Sequence, residues 1–363
     1  MSIAADLSRD ATACRPAIDP RRGWVGVWDN GAALIAPPAP VDPRPQGAVT
    51  LCLELVMPRR RGIRPARLWQ GAAAARAAIA LYATTEGRLR LVHGEVDITT
   101  PPGFAHAGET VSLRYRSCAR GRGDIVDLGS HDRGLRHRVR AEVARAARLH
   151  EALPRDGRFL GVCHVAAVAA FGLTSGALPA LASGTVLPTP GGPVPVERLR
   201  AGDVLLTAGG EARTLRWVEP RPRLCLGRAA PVRLRAPYFG LSQDMRVSPG
   251  TRILQSGPTV EYNFGHENVL VRAGDLVASP GALPDRRAPV RVFHHLMLDD
   301  HAVIAVDRCG VETALLSDVL AAEDGASPRA LSQADSTPCL PVLDRAAAQA
   351  LVAATARGRR ALT

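Results

Sequence analysis

The sequence predicts a mainly β protein: an N-terminal antiparallel β-sandwich, a second all-β unit and a short C-terminal helix. Three observations point there. Apolar residues recur at every second position through much of the first third of the chain, and in short runs after Gly184. Turn residues, mostly Gly and Pro, punctuate these runs at short intervals. Helical spacing is confined to a connecting stretch, Leu135–Leu153, and to the tail, Arg345–Arg357.

The first unit spans residues 23–134, after a flexible N-terminus at 1–22. Val49, Leu51, Leu53 and Leu55 alternate in AVTLCLELVMP, Leu89 and Leu91 in GRLRLVHG, and Val111, Leu113 and Tyr115 in TVSLRYR. Successive side chains of a strand point to opposite faces, so this period marks strands with one face in a core. Glu86–Gly87, Pro101–Pro102–Gly103 and Arg120–Gly121–Arg122–Gly123–Asp124 separate the runs. Short amphipathic strands between such turns predict a sandwich. Their order resembles the concanavalin-like/laminin-G sandwich. The tripeptide Arg122–Gly123–Asp124 matches a cell-adhesion signature, but chance accounts for it in an Arg- and Gly-rich turn.

A connecting segment covers 135–178. In LRHRVRAEVARAARLHEAL, Val139, Val143, Ala146 and His150 fall near one helical face, which predicts a helix. Gly161–Leu173 reads as a buried strand or helix, and Ser175–Pro179 as a linker. The second unit spans 179–325. Thr185–Leu187 is a short strand turned by Pro190–Gly191–Gly192, and Ala201–Gly202–Asp203 is a tight turn into the strand Val204–Thr207. Gly209–Gly210 has hairpin chemistry, with the return strand at Thr214–Val218. The tail, 326–363, holds Cys339–Leu343 and the amphipathic Arg345–Arg357.

Composition narrows the class. Hydrophobic residues make up 46% of 363, enough for two packed cores. No apolar run is long enough to span a bilayer as a helix, and Asp6 and Asp10 with no apolar stretch argue against a signal peptide. The default expectation is a cytoplasmic protein, with leaderless export left open. The formal charge is +12, and every basic residue is arginine. The excess lies mainly in the first half, at Arg59–Arg60–Arg61 and from Arg114 to Arg148. Such a face suits an acidic glycan or another anionic surface, or is simply a solvated surface in a chain whose basic residues are all arginine. Few aromatics and no recognition motif accompany it, so it indicates no specific nucleic-acid binding. Seven scattered cysteines without a CxxC pair indicate neither a zinc site nor a disulfide framework, and no cofactor is implied.

The second unit carries a family resemblance in ordered blocks. GTVLPTPGG is followed by VERLRAGDVLL and a strand ending at Trp217. PVRLRAPYFGLSQDMRVSPGTRIL, VEYNFGHENVLVRAGDLV and RVFHHLMLDDHAVIAVDRCGVETALL follow. Together they resemble the bacterial hedgehog/intein (Hint) domain. The resemblance implies a fold that cuts the peptide bond before its own first residue. That residue, Cys or less often Ser or Thr, attacks the preceding carbonyl, and a Thr-x-x-His motif donates to the departing amide nitrogen.

Carried onto this chain, the nucleophile position is Ala180, four residues before Gly184. The second motif falls on Ser248-Pro249-Gly250-Thr251, with Thr251 where the His should be. A methyl group attacks nothing, and a threonine hydroxyl does not titrate near neutral pH. Ser183 is the nearest hydroxyl, and would need the cleavage point to move by three residues. In relatives a His and an Asp-x-His pattern occupy a later strand, matched here by His295 and by Asp299 with His301. Asp299, Asp300 and His301 form a base or metal site, or the last two cap a turn; alternation buries one of His294 and His295 and exposes the other. Cys309 reads as a buried structural thiol.

Three functions follow. The first is a binding or structural module on a Hint scaffold without self-cleavage. The second is an autoprocessing protein cutting near 179–184 through Ser183. The third is glycan or anionic-surface binding by the Arg-rich sandwich.

Overall fold

Alternation in the first unit becomes two facing sheets. The computed structural model describes residues 18–35, 48–59, 65–71, 79–94, 96–117, 123–141, 162–173, 178–323 and 337–360. A seven-stranded antiparallel sheet runs in the order Leu135–Ala141, Asp124–Ser130, Thr110–Ser117, Val49–Val56, Cys163–Ala169, Trp24–Asp29, Ala32–Ile35. A four-stranded sheet, Ala66–Gln70, Ile79–Ala83, Leu89–His93 and Val96–Thr99, shares its core. Leu51, Leu53, Leu55, Leu113 and Tyr115 of the first meet Leu68, Trp69, Ile79 and Leu81 of the second. Each such side chain withdrawn from water contributes about 2 kcal/mol.

The helix expected from Leu135 is a strand over its described part, Leu135–Ala141, paired residue for residue with Asp124–Ser130. Leu135, His137, Val139 and Ala141 also alternate, and Val139 and Ala141 pack on the sandwich core. A four-residue turn, His131–Gly134, brings the backbone partners close, so pairing overrides the helical spacing. Residues 142–153, with the rest of that expected helix, lie outside the described residues. Gly161–Leu173 resolves to the strand Cys163–Ala169, between Val49–Val56 and Trp24–Asp29. The stretch expected to connect two units thus supplies two strands to the first sheet. The N-terminus, most of the Ser175–Pro179 linker, Cys14, Cys118 and Arg122 also lie outside the described residues.

The second unit has its own core. One sheet runs Val204–Leu206, Ala212–Leu224, Val290–Leu298, Leu181–Ala182, Met245–Val247, Val232–Leu234, Ala282–Pro284. A four-stranded sheet runs Asn268–Arg272, Arg252–Ser256, Cys309–Glu312, Val303–Val306, and a hairpin joins Val186–Thr189 to Gly192–Pro195. Ala212–Leu224 carries Pro220 and Pro222, and pairs along its length with Val290–Leu298. Its other side is paired only at Ala212–Thr214. Both prolines fall where the strand is an edge, and their alternate spacing turns the missing N–H groups away from the ladder. Pro258–Phe264 is a helix that begins on Pro and ends at Gly265 in the left-handed conformation (φ 70°). The tail helix forms as Arg345–Arg360 and buries Ala348 and Leu351 in the second core.

The two units meet through the outer face of the seven-stranded sheet. Trp24, Val27, Val165, Ala167 and Ala169 pack on Leu226 and Val290. The two-residue strand Leu181–Ala182 matters most for the site: Leu181 pairs with both His294 and Val247, and Ala182 with Phe293.

Candidate functional site

That short strand is inserted between two others, and so carries the Leu178–Ser183 segment into contact with side chains from both. Its neighbour Met245–Val247 leads directly to Ser248 and Thr251, and its other neighbour carries His294 and His295. Ser248, Thr251, His294 and His295 therefore converge on six residues of backbone that include Ala180 and Ser183.

The contacts are specific. Ala180 N–H donates to Thr251 Oγ1 at 3.0 Å. Ser248 Oγ donates to Leu178 O at 2.7 Å and lies 2.9 Å from Thr251 Oγ1, and Ser248 N–H donates to Ala180 O at 2.9 Å. His295 Nδ1 donates to Pro179 O at 2.8 Å. The peptide bond between Pro179 and Ala180 is thus gripped at both ends: a histidine on its carbonyl and a hydroxyl on its nitrogen. The Ala180 methyl is buried in a small cluster with Ala182, Cys225 and Phe293.

Electrostatics agree with a dry pocket. His295 is fully buried, and burial first, then the nearby Arg223 charge, hold its pKa well below the usual value. The ring is neutral, with Nδ1–H on the carbonyl and Nε2 without a partner. Trp217 stacks on it at 6.2 Å and 23°. Arg223 sits over the Phe293 ring at 5.8 Å, and burial lowers its pKa to about 10. Cys225 is the nearby thiol, and burial pushes it up to about 12, so it is no ready nucleophile.

Ser183 is set apart. It is exposed, with its Oγ 2.9 Å from His294 Nε2. The carbonyl preceding it, Ala182 O, accepts from Thr185 Oγ1 at 2.7 Å and from Thr185 N at 3.2 Å. The expectation that one of His294 and His295 is exposed fails: both are buried. Val290–Leu298 lies inside the sheet, and apart from Arg291 every one of its residues is buried.

His301 lies elsewhere. Its Nε2 is 2.9 Å from Glu312 Oε1, and its Nδ1 accepts from Cys339 N–H at 3.0 Å. Glu312 in turn holds Arg252 at 2.5 Å, so His301 belongs to a buried network that ties the tail to the second core. Asp299 Oδ1 accepts from Asp300 N–H, and among the described residues no group of three His, Cys, Asp or Glu could hold a metal. Cys309 is buried, with its pKa raised to about 12 by that burial. In the sandwich, Arg114, Arg136 and Arg138 gather around Asp127. Asp124 of the Arg-Gly-Asp tripeptide is buried and accepts from Tyr115 OH at 2.9 Å, so it is not presented to a partner.

Sequence reasoning missed Arg223, the apolar neighbours of Ala180 and the Ser183–His294 contact. The contact joins residues 111 positions apart, and only the strand pairing brings them together.

Residues 179–318 match the Hint domain family. No curated protein matches the chain. Among solved structures, similarity extends to Scytalido-glutamic peptidase with a peptide-based transition state analog, at 11% identity over 36% of this chain and 64% of that one, TM-score 0.22. It extends to the GH43 BlXynB protein from Bacillus licheniformis, at 13% identity over 40% and 30%, TM-score 0.20. It extends also to the heptameric SAP-like pentraxin from Limulus polyphemus, at 12% identity over 42% and 65%, TM-score 0.19. The chain spans less than two thirds of each of these proteins, and TM-scores this low establish no shared fold. Among the described residues no helix is long and apolar enough to cross a membrane.

Proposed function

We propose that this Hint-domain-containing protein keeps the Hint fold as a non-cleaving scaffold, which clasps its own entry segment and joins it to the N-terminal sandwich. One observation carries this reading. At the bond where the family cuts, the side chain that should attack is the Ala180 methyl, packed with Cys225 and Phe293. The amide nitrogen that should receive a proton instead gives its own to Thr251 Oγ1. His295 still addresses the carbonyl, as an electrophilic donor would, but nothing is placed to attack it. What the segment gains is satisfaction of its buried backbone: Leu178 O, Pro179 O, Ala180 N and Ala180 O all have partners. Leaving any one unpaired costs about 1–3 kcal/mol, so these contacts favour holding over cutting.

The test is intact mass of freshly purified full-length chain, with and without dithiothreitol or hydroxylamine. A single full-length mass under all conditions is expected. Fragments ending at Pro179 would overturn the reading.

A second reading is favoured by the Ser183 contacts. Its Oγ has a histidine nitrogen at 2.9 Å, and the Ala182 carbonyl receives two donors. An acyl shift here would move the Ala182 acyl group from the Ser183 nitrogen to Oγ, with His294 taking the hydroxyl proton and returning one to the amine. Fragments ending at Ala182, released by hydroxylamine, would establish it, and their absence removes it.

A further inference from the structure

The tail returns to the Hint unit along the edge of its four-stranded sheet. Leu270 of the edge strand Asn268–Arg272 donates its N–H to Pro341 O at 2.8 Å, and Leu343 N–H donates to Leu270 O at 2.9 Å. This pairing clamps the residues just before it, and Cys339 N–H donates to His301 Nδ1 at 3.0 Å. The Cys339 side chain hydrogen-bonds the same ring. On the other side of the ring, Nε2 lies 2.9 Å from Glu312 Oε1. Thiol, imidazole and carboxylate thus form a chain, in the order that places a nucleophile, its base and the group that holds the base.

The surroundings change along that chain. Cys339 is exposed, the only cysteine so placed among the described residues. Burial pushes the thiol of Cys52 up to about 11, and those of Cys163, Cys225 and Cys309 up to about 12. Behind Cys339, the His301 and Glu312 side chains are almost wholly buried. Burial alone would weaken the hold of His301 on a proton, but the Cys339 and Glu312 side chains strengthen it, to a pKa of about 9. Among the described residues, the other charged groups around the ring are Arg252, which bridges Glu312 and Asp318, and Asp318 itself, with Arg272 beyond it.

We propose that Cys339 is a site of thiol–disulfide exchange with low-molecular-weight disulfides, its proton passing to His301. The thiolate attacks one sulfur of the disulfide, that S–S bond breaks, and the departing thiolate takes the proton back from the ring. The Cys339 sulfur is oxidised to a mixed disulfide, and the other half of the reagent is reduced to a thiol. Glu312 is a positioning residue, which holds the ring and stabilises its charged form. Exchange asks only for an accessible sulfur with a base beside it, whereas acyl transfer also needs donors aimed at an oxyanion. The site shares no residue with the one around Ala180, so it stands or falls apart from cleavage.

Stopped-flow reaction of the reduced full-length chain with 4,4′-dithiodipyridine tests it, and glutathione disulfide followed by peptide mass mapping locates the adduct. At about pH 6.5 a single thiol should react at least about tenfold faster than N-acetylcysteine, and at about pH 9.5 the two should agree within about threefold. The glutathione adduct should map to Cys339, and Cys339→Ser should abolish the fast phase. His301→Gln should slow it about tenfold at the lower pH and leave the rate at the higher pH unchanged. Glu312→Gln should fall between the two at the lower pH and match both at the higher. No fast phase in the unaltered chain, a fast phase that survives Cys339→Ser, or an unchanged rate at the lower pH in His301→Gln would each overturn the proposal. The first of these is read on the unaltered chain, so a variant that fails to fold does not blunt the test.

Discussion

Two neighbouring peptide bonds, three residues apart, have opposite surroundings. The bond before Ala180 is buried, held at its carbonyl by His295 and at its nitrogen by Thr251, and lacks an attacking group. The bond before Ser183 is at the surface and has a hydroxyl with a histidine beside it. The first has the pocket without the nucleophile, and the second has the nucleophile without the pocket. Water exclusion and aligned donors are what strengthen electrostatic catalysis, and the two bonds divide these features between them.

The largest expected effect comes from refilling the first site. Ala180→Cys combined with Thr251→His restores an attacking thiol and a titratable donor around a carbonyl that His295 already addresses. Self-cleavage after Pro179 should rise by about 10³-fold or more over the unaltered chain, read as fragment mass after dithiothreitol. If the double variant stays intact while folded, a thiol at 180 and a histidine at 251 are not sufficient for cleavage.

Next is the clasp. Ser248→Ala strips the donor from buried Leu178 O and a partner from Thr251, and should cost about 1–3 kcal/mol in denaturant unfolding. A change near zero would mean the segment is not held by these contacts.

The pH response of His295 is smaller. Its folded-state pKa lies below the unfolded value, so the unfolded chain binds the extra proton. The His295 contribution is therefore full above about pH 6.5 and is lost as pH drops through that value, by up to about 1.4 kcal/mol per unit. His131, also lowered by burial, adds to the same slope. His295→Leu should flatten the slope between about pH 5 and 6.5 by about one proton, and an unchanged slope would show that His295 is not neutral in the fold.

Ser183→Ala should do least. The side chain is exposed, and its loss should change stability by less than about 0.5 kcal/mol and leave the chain as a single full-length species. Lost fragments in this variant would instead promote the exposed bond to the working one.

How much was legible follows from what each feature depends on. The strand at Val49–Val56 and the tail helix were readable because their periodicity is local and matches their burial. The strand Leu135–Ala141 was not, because its residues fit two periods and a neighbouring strand decided between them. The helix Pro258–Phe264 has a Pro start and a Gly stop in its sequence, but at seven residues it is too short for helical periodicity to stand out.

The site divides the same way. Sequence by itself determined that Ala180 cannot attack and Thr251 cannot titrate, since both are properties of the side chain alone. Only the tertiary structure decided that Thr251 faces the Ala180 nitrogen, that His295 reaches Pro179 O across 116 residues, and that Ser183 meets His294 rather than its neighbour. Those contacts depend on a two-residue strand threading between two others. Pairing of that kind is set by long-range hydrogen bonds and packing, which no local pattern encodes.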